Sequence, residues 1–157
     1  MIILGIDPGS RRIGFGVIEK MGQELRFLEA GILKIQSPND LGALIEVKGR
    51  LQELISKYQP EEMGVEKLYF TKNQKTAIAV SQARGIIMMT AAERGVNLSE
   101  FTPTQIKSAI AGDGRADKRA VAKMIKIILR EPDLKLIDDA TDALAIAIAV
   151  SLVKKYP

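Results

Sequence analysis

Residues 2–7, Ile-Ile-Leu-Gly-Ile-Asp, constrain this chain more than any other stretch. A run that is apolar until its last residue reads as a buried strand. The acid that closes it is followed at once by turn chemistry, Pro8-Gly9-Ser10-Arg11-Arg12. An ionised carboxylate beside a sheet core is costly unless something cationic compensates it. Asp7 is therefore the first candidate functional residue.

The rest of the chain supplies partners for that strand. Residues 13–20 read as its hairpin partner and 25–35 as a third strand. Asp40 is placed to cap a helix whose Leu41, Leu44, Ile45, Leu51, Leu54 and Ile55 keep helical spacing up to Tyr58, with Pro60 ending it. Residues 63–68 form a fourth strand in which Met63 and Val65 share one face and Glu66 points the other way. A long helix over 73–94 stops at Gly95, and 98–101 is a short fifth strand. A helix from Pro103, a break at Gly112-Asp113-Gly114, a helix over about 116–130 and a last helix from about Asp139 complete the order. Strands first, then helix and strand in alternation, predict an α/β fold: a five-stranded mixed sheet with helices on both faces, in one domain.

Composition narrows the chemistry. The chain of 157 residues is 46% hydrophobic and 27% charged, an ordinary globular balance. It has no Cys and no His. That excludes disulfides, thiolate sites, imidazole bases and His-ligated zinc, and it suits a cytoplasmic protein. A secretory signal is not expected, because no basic segment precedes the first apolar run. The apolar stretch 143–153 falls short of the ~18 residues of a membrane span.

Four acids stand in comparable settings. Asp7 and Glu66 sit on strands, and Asp139 and Asp142 open the last apolar helix, three apart and so on one face. Taken singly, each has a plain reading: a turn acid, a solvent-facing strand residue, a first-turn acid serving the helix dipole. Asp138 is assigned to capping, although it shares a face with Asp142 as well. Jointly, the four would meet at one sheet end, where α/β folds tend to place sites. Such a cluster needs cations, and oxygen ligands suit Mg²⁺, or Mn²⁺ in its place. Two such ions about 3.5–4 Å apart would serve phosphodiester hydrolysis.

Charge distribution names the substrate class. Net charge is +4. Residues 104–130 hold seven basic residues (Lys107, Arg115, Lys118, Arg119, Lys123, Lys126, Arg130) against Asp113 and Asp117. At ~100° per residue, Arg119, Lys123, Lys126 and Arg130 share one helix face, a pattern suited to phosphate. Lys107 and Lys118 flank the glycine break. Tyr69 and Phe70 follow Glu66 and offer an aromatic ring for unstacked bases. Gly14 and Gly16, on one face of the second strand, would admit either a nucleic-acid backbone or a packed helix. Phosphate-loop motifs are missing.

Four segments together resemble the RuvC family of Holliday-junction resolvases: residues 3–11 (Ile-Leu-Gly-Ile-Asp-Pro-Gly-Ser-Arg), 65–69 continuing to Lys72-Asn73, Ser81-Gln-Ala-Arg-Gly85, and residues 139–147. The resemblance implies a single RNase H-like nuclease domain over 1–157. It implies a Mg²⁺-dependent endodeoxyribonuclease that resolves four-way DNA junctions in recombination and repair, as a homodimer served by a branch-migration complex. It maps the catalytic and metal-binding acids onto Asp7, Glu66, Asp139 and Asp142. It maps DNA contacts onto Lys107, Lys118 and Tyr69, to which the basic face adds Arg119 and Lys123. Residues 73–94, with Ala77, Ala83 and Ile86, are the expected dimer surface. Two alternatives stand beside this: a resolvase-like RNA-processing nuclease of the same fold, and a non-catalytic junction-binding module.

Overall fold

The computed structural model describes residues 1–68, 74–135 and 137–153. Its elements run β1 (Ile2–Asp7), β2 (Arg12–Met21), β3 (Glu24–Lys34), α1 (Asp40–Tyr58), β4 (Glu62–Glu66), α2 (Gln74–Glu93), β5 (Asn97–Phe101), α3 (Pro103–Ala111), α4 (Lys118–Leu129) and α5 (Asp138–Leu152). The five strands form one sheet in the order β3-β2-β1-β4-β5. β1, β2 and β3 run antiparallel, while β4 lies parallel to both β1 and β5. β1 is thus central, as its apolar sequence demands.

Period-two alternation divides the sheet into two cores. Leu4, Ile6, Phe15, Val17, Met63 and Val65 face α1 and α2, meeting Val47, Leu51, Ile87 and Ala91. Ile3 and Ile18 face the other way, toward α3, α4 and α5. α5 is buried from Ala140 and from Ala143 through Ser151. A helix apolar all round must be covered all round; it lies between the sheet and the apolar stripe Val121, Ile125, Leu129 of α4.

Glycines let α5 lie directly on the sheet. A Cβ on Gly5 would stand 2.0 Å from the Ala143 carbonyl oxygen, and one on Gly14 would stand 2.0 Å from that of Asp139. Gly16 meets Leu144 and Gly64 meets Ile146 and Val150 in the same way. This corrects the nucleic-acid reading of Gly14 and Gly16: both are filled by the helix.

Two capping expectations also change. Asn39, not Asp40, caps α1, its side chain accepting from the Gly42 amide at 2.7 Å, while Asp40 pairs with Arg11 at 3.2 Å. Asp138 does not cap α5, whose N-cap residue is Ile137 and which has no side-chain cap. The fourth strand ends at Glu66 rather than residue 68. Among the described residues no helix is long and apolar enough to cross a membrane.

Candidate active site

Register brings the acids together. Ile6 pairs with Val65 across the parallel β1–β4 ladder, so Asp7 and Glu66 are the next residues on neighbouring strands. Both continue the face that packs on α5, since Gly5 and Gly64 point into that helix. α5 starts beside Gly14, which is paired with Asp7. Its first two turns therefore hang over the same sheet end, with Asp139 and Asp142 on the side facing the strands.

Asp7 feels the charges of the other three carboxylates, and Glu66 feels that of Asp142. Asp7 is pushed up to about 7, chiefly by burial, then by the charges of Asp142, Glu66 and Asp139; Lys118 opposes them. Glu66 is also raised, by burial first and by Asp142 second, with Lys118 and Lys107 pulling the other way. Lys118 is raised in turn, foremost by Asp142. These shifts are the signature of several anions sharing a partly desolvated volume.

Two cations hold two of the acids. Lys118 Nζ lies 3.4 Å from Asp142 and 3.8 Å from the outward-facing Asp138. Arg12 Nε donates to Asp139 Oδ2 at 3.3 Å. Among the described residues no three acids are drawn into a ready coordination cage. Asp142 and Asp139 are instead each paired with a nearby cation. The sequence reading gives Arg12 no role; its place in the turn after Asp7 is the signal that was there.

A cleft of about 240 Å³ opens beside the cluster, lined by Glu66, Lys107, Lys118, Val121 and Asp142 among others. The expected placement of Lys107 and Lys118 near the acids therefore holds geometrically. Pro103 begins α3 behind a Thr102–Gln105 capping box, which sets the helix that carries Lys107. Asp117 caps α4 through the Ala120 amide and delivers Lys118 at its first position. A larger groove, about 550 Å³, lies between the β2–β3 hairpin and the C-terminal ends of α4 and α5, remote from the four acids.

The basic face of α4 is only partly as expected. Arg119 and Lys123 are exposed. Arg130 is not available in the same sense, since it pairs with Glu24 at 2.9 Å at the far end of the helix. Tyr69 and Phe70 lie outside the described residues. On α2, Ala83 is buried at 1% exposure, while Ile86 is partly buried and packs against the core with one side. The outer face carries Ile78, Gly85 and Met89 instead.

The chain is similar along its length to named proteins. The crossover junction endodeoxyribonuclease RuvC of Petrotoga mobilis is 43% identical over 148 residues, covering 94% of this chain and 91% of the relative. T. thermophilus RuvC, solved in complex with Holliday junction substrate, superposes with a TM-score of 0.88 at 32% identity, covering 96% of this chain and 93% of that one. The yeast mitochondrial Holliday junction resolvase shares the fold at a TM-score of 0.66 and 13% identity, over 94% of this chain and 77% of its own. The family model described as Crossover junction endodeoxyribonuclease RuvC matches residues 3–150, and this chain, with its RNase H-like mixed sheet, belongs to the RuvC family.

Proposed function

We propose that the protein is a divalent-metal-dependent endodeoxyribonuclease that resolves four-way DNA junctions by paired nicks, working as a homodimer. The observation that carries this reading is the convergence of acids from β1, β4 and α5 on one sheet end, with Lys107 and Lys118 across a shared cleft. The Holliday junction held by the relative from T. thermophilus supplies the substrate class.

The donor set fits a hard cation. It is oxygen only, drawn from three elements, partly desolvated and over-supplied with negative charge. Asp7, Glu66, Asp139 and Asp142 would hold Mg²⁺ or Mn²⁺, and four carboxylates suffice for two ions. When bound, the metal supplies neutralising charge and an acidified water for phosphodiester hydrolysis. The chain's own residues do the rest. Lys107 and Lys118 line the cleft that holds Glu66 and Asp142, so an entering phosphate meets cations beside the carboxylates. Arg119 and Lys123 continue the positive surface along α4. Tyr69, three residues beyond the end of β4 in the sequence, is the candidate base contact. A branch-migration complex is the further partner that family membership implies.

A two-fold assembly suits the substrate, because resolution needs two nicks in opposed strands and a C2 dimer presents two identical sites. The test is cleavage of a synthetic four-way junction with Mg²⁺ against chelator, scored for symmetric paired cuts. Mg²⁺-dependent paired cutting is expected. Cutting that persists in chelator, or cutting of structured RNA alone, would overturn the reading.

A further inference from the structure

The segment Ser81-Gln-Ala-Arg-Gly85 on α2 has no part in the site described above. Its Arg84 side chain is only 18% exposed and is held at two of its nitrogens. Nε donates to the main-chain carbonyl of Glu66 at 3.0 Å. Nη2 donates to the Glu100 carboxylate and forms an ion pair with it. Glu100 lies beside Val65 in the β4–β5 ladder, and Val65 faces α1 and α2. Arg84 thus reaches the end of β4 from the sheet face opposite the acids.

That carbonyl needs a donor from outside the sheet. The β1–β4 ladder ends at the Ile6–Val65 pair, and Pro8 beyond it has no N–H to give. The β4–β5 ladder ends at Glu66–Phe101, and the next amide, Thr102, donates to Gln105 Oε1 at 2.8 Å. A strand-end carbonyl left unpaired away from water costs free energy. The guanidinium fills the place, and Glu100 fixes the guanidinium.

We propose that Arg84 is a positioning residue for Glu66. By holding the peptide on one face of the sheet, it sets the direction of the carboxylate on the other, toward Asp7 and Asp142. The inference rests on the reading of these acids as a metal site. It also gives Pro8 and Arg84, far apart in sequence, a common physical cause.

The test uses the full chain, with Mn²⁺ alone as probe and the thermal midpoint as readout, beside single-turnover nicking of a four-way junction. Wild type is measured first. Absence of any Mn²⁺ effect there would sink the metal-site reading itself, not the clamp. For Arg84→Gln, the Mn²⁺ dissociation constant fitted to the rise of the thermal midpoint with Mn²⁺ concentration should increase ~10- to 100-fold, the usual range for losing an outer support of a metal ligand. The nicking rate should fall in step, while the half-saturating junction concentration stays at the wild-type value. Arg84→Lys should move the same way by less, and Glu100→Gln less again, because the Nε bond survives. An unmoved Mn²⁺ titration in folded Arg84→Gln would overturn the proposal, as would a loss traced wholly to weaker junction binding. If Arg84→Gln does not fold, Arg84→Lys decides: a wild-type titration there overturns it.

Discussion

Asp7 is an acid held against its ordinary ionisation, and that conflict is measurable. Its folded value, about 7, lies above the ordinary 3.8, so the folded chain keeps a proton that the unfolded chain has released. The stability tied to that proton is complete below about pH 4 and is lost as pH rises through about 7. At pH 8 in chelator the fold therefore bears an ionised, half-buried carboxylate among three others. Asp7→Asn removes that charge at little change of shape. We expect its metal-free thermal midpoint at pH 8 to exceed that of wild type by a few degrees, with the gap closing near pH 4. Added Mn²⁺ should raise the wild-type midpoint and leave the variant's unmoved. Nicking should vanish while junction binding persists. A variant less stable than wild type in chelator at pH 8 would mean that Asp7 is not electrostatically strained. Sites that give up stability for chemistry behave in this way.

At the level of elements, α5 decides the architecture, and its seat is made of missing side chains. Gly5 lies under Ala143 and Ala147, at distances no real Cβ tolerates. Gly5→Ala must lift the helix or bend the strand. We expect a loss of about 3 kcal/mol or more in urea unfolding, at the upper end of what overpacking costs. Gly49, inside α1, has open space where its Cβ would go. Gly49→Ala should stabilise by about 0.5–1 kcal/mol, since helix interiors disfavour glycine. Equal effects at the two positions would refute the packing argument. The contrast also marks what the sequence made legible. Strand and helix order followed from apolar periodicity, to within a residue or two at the ends. The glycines of β2 did not, because a gap admits a helix or a ligand equally until the third dimension is known. Asp138 and Asp40 look like caps in the sequence for a related reason: capping depends on one dihedral at the boundary, and each acid stands one position inside its helix, after Ile137 and Asn39. The acid cluster was legible because it needs only strand ends and a helix face. Two contacts at its edge, Arg12 on Asp139 and Arg84 on the Glu66 main-chain carbonyl, were not, since each joins elements whose adjacency only the sheet order supplies.

For the whole molecule, the outer face of α2 sets the question of assembly. Ile78 and Met89 are 58% and 44% exposed, and Gly85 lies between them with open space above it. Positions 78, 85 and 89 repeat at seven and four residues and so share one stripe. Large apolar side chains around a small residue let two helices approach closely, and a two-fold axis through such a stripe would pair it with itself. Ala83, expected on this surface from the sequence, is buried at 1% exposure, so the exposed stripe proposed for self-pairing lies about a third of a turn or more away on the same helix. The double variant Ile78→Asp, Met89→Asp places like charges across that axis. At concentrations where wild type sediments as the proposed dimer, it should sediment as a folded monomer, because neither side chain is in the core; its unfolding midpoint should lose only the concentration dependence that dimerisation gives. The acids, Lys107 and Lys118 are untouched, so single nicks at a junction should continue, but the two cuts should become independent events. Nicked, unresolved junctions would then accumulate at protein levels where wild type yields resolved duplexes. A variant that remains dimeric would move the axis off α2. A monomer that still makes both cuts in one binding event would show that pairing of the cuts comes from the junction and not from the two-fold enzyme.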